Sequence, residues 1–274
     1  MYIYIINSFF KNDDNLSLVN KKPDTYKINY PYIYSDHQLN NTETILDSNN
    51  KMNIISLSEF HLPKPEKLWF SNWDGMESSN CNATHTIILI RHGQYHKDGY
   101  NNFGLTSKGR EQIDKCGLYL KQYFKNKKTI LNKVYYSTLQ RAMDSFDIID
   151  KHLGDDFKYK ALKTSDIKEC KVCPNEPNQL KWYKSNVDLF KNNLKAEKAF
   201  KNYIHRAEDK FKKDYTTVLV CHGNLIRYIL LRVLQLDPTA WMRLYVPLAS
   251  ISTIKIFPDG NIRLDCIGSR AYYI

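Results

Sequence analysis

The feature of this sequence that most constrains its fold is an alternation of strand and helix patterns that begins at Thr86. Strand patterns cover residues 86–90, 134–136, 216–221, 252–257 and 262–266. Helical patterns cover residues 107–124, a stretch from about 139, residues 195–211 and the residues after 224. The last two strands flank the turn sequence Pro258-Asp259-Gly260-Asn261, which indicates a hairpin near a sheet edge. Repeated strand–helix units predict a three-layer α/β/α domain with a mostly parallel sheet.

The chain divides into three segments by composition. Residues 1–66 are rich in Asn, Lys, Asp, Ser and Tyr without a lasting period, so we expect a disordered or loosely attached tail. Residues 67–80 contain the aromatic cluster Trp69-Phe70-Ser71-Asn72-Trp73-Asp74. Such tryptophans must dock, either on their own domain or on another subunit. Residues 81–274 hold the alternating pattern and form the main domain.

Composition limits the classes of partner. The net charge of +11 favours anionic partners, although a generally lysine-rich composition explains it equally well. No basic block interleaves with aromatic residues, so we expect no nucleic acid. No run of 18 or more apolar residues occurs, and we do not expect membrane association. The CxxC pair Cys170 and Cys173 has no second ligand pair at suitable spacing, so we expect no metal site and reduced, intracellular thiols.

Two strands end on matching signatures that can carry chemistry. The first ends on Arg91-His92-Gly93 and a later one on His222-Gly223. Ligands of open α/β sheets bind beyond the carboxyl ends of the strands, and Arg141 is placed in the first turn of the helix from about 139, where anions bind. We therefore expect both arginines and both histidines to form one phosphate pocket. The guanidiniums should keep a neighbouring histidine neutral and nucleophilic.

These motifs resemble the histidine phosphatase (phosphoglycerate mutase-like) superfamily. Residues 105–112 resemble its "LTxxGxxQ" segment and residues 137–142 its "SxLxRA" segment. A closer resemblance is to its mitochondrial serine/threonine-protein phosphatase branch, and the strings that carry it are residues 91–99, 199–207 and 69–74. The last string is similar to the branch's "WDxNWD" assembly motif, with Phe70 in place of the first acidic residue. Gly93 stands where that branch can carry serine.

The resemblance implies a metal-independent, cofactor-free phosphatase that hydrolyses phosphoserine and phosphothreonine through a phosphohistidine on His92. Arg91, Arg141 and His222 would stabilise the transferred phosphoryl group, and Gly223 would join them in binding substrate. Glu169 fits the family's "LxE" position for the proton donor. Glu176, in Asn175-Glu176-Pro177, is its competitor.

The resemblance also implies partners and a compartment. We expect a phosphorylated protein or peptide as substrate, a homodimer or higher homo-oligomer, and a mitochondrial address, with the cytoplasm as the alternative. Lysines in residues 171–198 would favour anionic substrates, or they form an ordinary solvated face. The rival functions are a phosphoglycerate mutase or small-molecule phosphatase with the same pocket, and a scaffold or pseudoenzyme that only binds partners.

Overall fold

The computed structural model describes residues 42–46, 52–56, 69–76, 81–127, 129–175 and 186–270. Its strands are β1 (Thr42–Leu46), β2 (Met52–Ser56), β3 (His85–Arg91), β4 (Ile130–Ser137), β5 (Lys160–Thr164), β6 (Tyr215–Cys221), β7 (Ile251–Ile256) and β8 (Ile262–Ser269). Its α-helices are α1 (Ser107–Lys127), α2 (Gln140–Leu153), α3 (Asn186–Tyr203) and α4 (Gly223–Val233), and short 3₁₀ helices span Tyr100–Phe103 and Pro238–Arg243. Within these ranges no helix is both long enough and apolar enough to cross a bilayer.

The chain separates into two compact units, residues 1–68 and residues 69–274. In the first unit β1 pairs antiparallel with β2, and Thr42 lies opposite Ser56. The composition of the tail did not predict this hairpin. The remainder of residues 1–66 lies outside the described residues, so its expected disorder stays a prediction.

The second unit is built on a six-stranded sheet in the order β5-β4-β6-β3-β7-β8. The strands β5, β4, β6 and β3 pair in parallel, whereas β7 runs antiparallel to both of its neighbours. The prediction of a mostly parallel sheet with a hairpin at one edge is confirmed. The hairpin turns at Gly260, whose φ of +84° lies in the left-handed region that glycine tolerates best.

Helices cover both faces of the sheet, which confirms the three layers. Along β3, Ile87 and Leu89 pack against α3 and α4, and Ile88 and Ile90 pack against α1 and α2. All four side chains are essentially inaccessible to solvent. Each such burial contributes about 1.5–3 kcal/mol, so a continuous apolar run is what a central strand of this architecture requires.

The prediction of a helix over residues 195–211 is wrong at its C-terminal end, because α3 ends at Tyr203. Beyond it, the backbone N–H of Arg206 donates to Asp74 Oδ2 at 2.8 Å, and its guanidinium pairs with the same carboxylate. Both side chains of this ion pair are almost fully buried. Ala207 and Phe211 continue the helical spacing in the sequence, but they pack in a separate small cluster with Cys81.

The aromatic segment docks partly on its own domain. The indole N–H of Trp73 donates to the carbonyl of Gly260 at 2.8 Å, and its ring lies 5.8 Å from that of Phe200. In contrast, Trp69 and Phe70 remain 40% and 60% exposed. Docking on the same domain therefore describes Trp73 and the backbone of Phe70, whose N–H donates to Gln235 Oε1 and whose carbonyl accepts from Gln235 Nε2. Assembly through this segment stays a prediction.

None of the cysteines among the described residues of the domain is in a disulfide. Burial raises the pKa of both Cys170 and Cys173 to about 12, so the CxxC pair is protonated at neutral pH. A buried thiol of this kind is chemically inert, and the reduced state of the cysteines stays a prediction.

Candidate functional site

The carboxyl ends of the four parallel strands meet at one edge of the sheet and bring the predicted residues together. Arg91 lies opposite Cys221 in the register of β3 and β6, so His92 and His222 leave the sheet at the same level. The backbone N–H of His92 donates to the carbonyl of Cys221 at 3.1 Å. As a result, the two imidazole centroids are 5.1 Å apart.

His92 is held as a neutral imidazole with one defined tautomer. Its Nδ1 lies 2.8 Å from the carbonyl oxygen of Gly93, which can only accept, so Nδ1 carries the ring proton. The unprotonated Nε2 accepts a hydrogen bond from Nε of Arg141 at 3.1 Å. The pKa of His92 is lowered to about 3, mainly by burial and in addition by the positive charges of Arg141 and Arg91, against the hydrogen bond to Gly93, which raises it. The expected neutral state is thus explained mainly by burial and only secondarily by the arginines.

The loop after His92 is fixed by the "LTxxGxxQ" segment. Oε1 of Gln112 accepts from the backbone N–H of Gln94 at 2.9 Å, and the backbone N–H of Thr106 donates to the carbonyl of Gln94 at 3.0 Å. A Cβ on Gly93 would stand 2.5 Å from the carbonyl oxygen of Gly109, and one on Gly109 would overlap Gln94. The spacing of this motif therefore reflects the close approach of α1 to the residues that follow the histidine.

Two arginines line the same pocket. Arg91, the last residue of β3, donates from one terminal nitrogen to the carbonyl of Val246 at 2.5 Å. Its Nε is buried and has no hydrogen-bond partner among the described residues. Arg141 stands in the first turn of α2, and its guanidinium lies 4.7 Å above the ring of Tyr95. Buried, unpaired N–H groups are costly, so this arrangement is suited to an anionic ligand that accepts from them.

His222 is also buried and neutral, but its hydrogen bonds differ from those of His92. Its Nε2 lies 2.8 Å from Oγ of Ser137, which itself accepts from the backbone N–H of Leu139. Its Nδ1 is buried and has no partner among the described residues. Burial, followed by the nearby rings and charges, lowers the pKa of His222 well below its ordinary value. A Ser137 hydroxyl that donates to Nε2 puts the ring proton on Nδ1, the nitrogen that has no partner among the described residues.

Gly223 begins α4 directly after His222. A Cβ at this position would lie 3.0 Å from both Cζ and Nε of Arg91. Glycine therefore lets the guanidinium rest against the N-terminus of the helix, where backbone N–H groups also favour an anion. Gly223 thus contributes to the site by leaving room for the Arg91 guanidinium and by its position at the N-terminus of α4.

Glu169 lies in the segment after β5 and contacts the N-terminal turn of α4. Its Oε1 accepts from the backbone N–H of Asn224 at 3.3 Å. Burial raises the pKa of Glu169, against the opposing effect of the Arg141 and Arg91 charges. A carboxyl group with a raised pKa is suited to general acid catalysis. Glu176 lies outside the described residues, so its competition with Glu169 stays open.

Two residues of the site were not predicted from the sequence. Arg227 donates from Nε to the carbonyl of Leu244 at 2.8 Å and from a terminal nitrogen to Asn224 Oδ1 at 3.2 Å. Its spacing of three residues from Asn224 puts both on one helix face and was the available signal. The ring of Tyr95 meets the edge of the His92 ring at 5.2 Å. No pattern in the sequence distinguished it.

The chain has relatives among known proteins. Residues 87–267 match the model of the histidine phosphatase superfamily (branch 1). The chain is 38% identical over 193 residues to the serine/threonine-protein phosphatase PGAM5, mitochondrial, of Xenopus tropicalis, covering 69% of this chain and 66% of the relative. It is 32% identical over 228 residues to the protein of the same name from Homo sapiens, covering 82% and 75%.

A solved structure shares the fold. The product of an open reading frame of Mycobacterium tuberculosis superimposes with a TM-score of 0.50 at 20% identity, covering 67% of this chain and 97% of that chain. At this identity the likeness supports the architecture alone. The curated relatives are longer than the matched region, and this chain spans about two thirds of the length of the Xenopus protein.

Proposed function

The chain belongs to the histidine phosphatase superfamily, and from that premise we propose that it is a serine/threonine-protein phosphatase with His92 as its nucleophile. The observation that carries the proposal is the tautomer of His92. Its Nδ1 proton is engaged by the Gly93 carbonyl, so the lone pair on Nε2 faces the guanidinium of Arg141. A buried neutral imidazole beside two arginines combines a nucleophile with an anion site.

In the first step Nε2 of His92 attacks phosphorus, and the bond from phosphorus to the serine or threonine oxygen breaks. Glu169 donates its proton to the departing oxygen. As phosphate enters, Arg141 transfers its hydrogen bond from Nε2 to a phosphate oxygen, which frees the lone pair. Arg91, Arg141 and His222 then stabilise the charge on the equatorial oxygens.

In the second step water attacks the phosphohistidine. The Glu169 carboxylate, which lost its proton in the first step, now accepts one from the water. The bond between Nε2 and phosphorus breaks, its electron pair returns to the imidazole, and inorganic phosphate leaves. No metal ion or organic cofactor enters this scheme.

The substrate and the compartment follow from the relatives. Their names describe serine/threonine-protein phosphatases of mitochondria, and on this resemblance we assign phosphoproteins as substrates and the mitochondrion as the compartment. The homodimer or larger homo-oligomer implied by the sequence stays a prediction, which light scattering of the purified chain measures.

The test compares wild type with His92→Ala on para-nitrophenyl phosphate and on a phosphoserine peptide, with EDTA present. We expect wild type to release phosphate and to form an acid-labile phosphoprotein, and His92→Ala to do neither. His152→Gln is the matched control, because His152 lies on α2 and pairs with Asp114 at 2.8 Å, away from the pocket.

Other outcomes decide between the rival functions. Equal activity of wild type and His92→Ala would contradict the nucleophile. Phosphoglycerate isomerisation faster than phosphopeptide hydrolysis would favour a mutase. A wild-type protein without activity on any ester or peptide would favour a scaffold.

A further inference from the structure

A cleft of about 390 Å³ lies next to the proposed proton donor. Glu169 and Cys170, from the segment after β5, form part of its lining, and residues of α3 complete it. A general acid must lie within hydrogen-bonding distance of the leaving oxygen. We therefore place the peptide chain attached to that oxygen along the cleft. This placement rests on the proposed function.

The charges that line the cleft are mostly positive. Lys168, Lys195 and Lys198 contribute to its lining, and all three are exposed to solvent. Among the described residues of the lining, the acidic residue other than Glu169 is Asp166, which pairs with Lys198 at 2.9 Å and also accepts from Asn202. No carboxylate among the described residues forms an ion pair with Lys168 or Lys195.

The lysines of the cleft differ in whether their charge is available to bind an anionic ligand. The charge of Lys198 is largely satisfied by Asp166. Lys168, from the segment after β5, and Lys195, from α3, line the cleft with Glu169 and have no ion-pair partner among the described residues. A lysine is a compact charge on a flexible stem, which suits carboxylates at variable positions. In the proposed function the phosphate itself binds elsewhere, to Arg91 at the end of β3 and to Arg141 in the first turn of α2.

We infer that this cleft binds acidic residues next to the phosphoserine or phosphothreonine, and that the enzyme prefers phosphoproteins with acidic flanking sequences. Lys195 lies in the lysine-rich segment 171–198, for which a substrate role and a solvated face were both open. The cleft favours the substrate role for Lys195 and adds Lys168, which lies outside that segment.

The experiment uses three phosphoserine peptides that differ only in their flanking residues, which are aspartate, alanine or lysine. At low ionic strength we expect wild type to show a kcat/KM about fivefold higher for the aspartate peptide than for the alanine peptide, as about two screened ion pairs provide. The lysine peptide should rank last, and the difference should shrink as salt is added.

The variant Lys168→Glu/Lys195→Glu should reverse the order of the aspartate and lysine peptides, mainly through KM. The matched control is Lys127→Glu/Lys213→Glu, which reverses two exposed lysines of a separate cleft near the amino ends of the strands. This control should preserve the wild-type ratio. Comparing ratios of peptides within each variant removes any general change in activity.

Equal kcat/KM values for the three peptides in wild type would overturn the inference and leave the phosphatase proposal intact. So would a preference that survives the cleft variant or that disappears equally in the control. If wild type hydrolyses para-nitrophenyl phosphate but none of the peptides, the proposed protein substrate fails, and the acidic preference fails with it.

Discussion

The two histidines of the site come from nearly identical sequence patterns and acquire different chemistry. Each follows a buried strand and precedes a glycine, and each is almost inaccessible to solvent. His92 donates through Nδ1 and exposes Nε2 to Arg141, whereas His222 engages Nε2 with Ser137 and leaves Nδ1 without a partner. The partner of one ring nitrogen thus determines what the other nitrogen can do. We expect a nucleophile in the first case and a hydrogen-bond donor in the second.

The largest expected difference is between His92→Ala and His222→Ala. Removing the nucleophile should lower kcat by about 10⁴-fold or more and abolish the phosphoenzyme. Removing a donor to the transferred group should lower kcat by about 10²–10³-fold, yet the phosphoenzyme should still form. Rapid-quench measurement of phosphoprotein separates the two. If a phosphoenzyme formed in His92→Ala but not in His222→Ala, His222 would be the nucleophile and His92 the hydrogen-bond donor.

A smaller effect is expected from the side chains that orient each ring. Ser137→Ala removes the hydroxyl beside His222 Nε2, so the tautomer is no longer specified, and kcat should fall about tenfold, the effect of one neutral hydrogen bond. Ser145, whose hydroxyl lies 3.3 Å from the backbone N of Gly93, supports the loop of the other histidine. In ¹⁵N spectra of labelled histidine, Ser137→Ala should change the signals of His222 and Ser145→Ala those of His92. If Ser137→Ala changes neither kcat nor those signals, the tautomer has another origin.

The two glycines extend the comparison to stability. Gly93→Ala would drive Cβ against a backbone carbonyl of α1, which should destabilise the fold by about 1–3 kcal/mol. In Gly223→Ala the new Cβ meets the guanidinium of Arg91 instead, which can move aside because it belongs to a side chain. We expect urea unfolding to detect mainly the loss of stability in Gly93→Ala. Inhibition by inorganic phosphate should detect mainly the changed anion site in Gly223→Ala. Equal losses of stability in both variants would contradict this distinction.

The next expected effect concerns acid stability. Burial holds the pKa of His92 at about 3 and that of His222 well below its ordinary 6.5, so below about pH 6.5 the unfolded chain takes up protons that the folded chain refuses. Folding stability should therefore fall as the pH decreases from 6.5 toward 3. Thermal unfolding at pH 7 and pH 5 should show a smaller loss in His92→Gln and in His222→Gln than in wild type. A loss as large as that of wild type in one variant would show that its histidine titrates normally.

The opposite behaviour is expected of Glu169. Burial raises its pKa in the folded state, so its protonated form adds stability at low pH, and this contribution is lost as the pH rises through the raised pKa. The same titration limits kcat/KM on the alkaline side, because the first step requires the proton. In Glu169→Gln that alkaline limb should disappear from the pH profile, together with most of the activity. An unchanged alkaline limb would favour Glu176 as the donor.

Much of the fold could be predicted because its signals are local. The apolar runs at residues 86–90 and 216–221 correspond to β3 and β6, and the turn at Gly260 joins β7 and β8. The prediction for the end of α3 is wrong because Arg206 lies beyond the helix and binds Asp74, which is 132 positions away in the chain. The helical spacing of Ala207 and Phe211 carries no information about that distant carboxylate.

The sequence by itself determined which residues meet. Parallel strands deliver their carboxyl ends to one edge, so His92, Arg91, His222 and Arg141 converge once the strands are recognised. Only the tertiary structure decided what each does there. The tautomer of His222 depends on Ser137, 85 positions away, and the low pKa of His92 depends on burial by the packed layers. Such contacts join distant parts of the chain, so they arise only when the sheet and its helices are assembled.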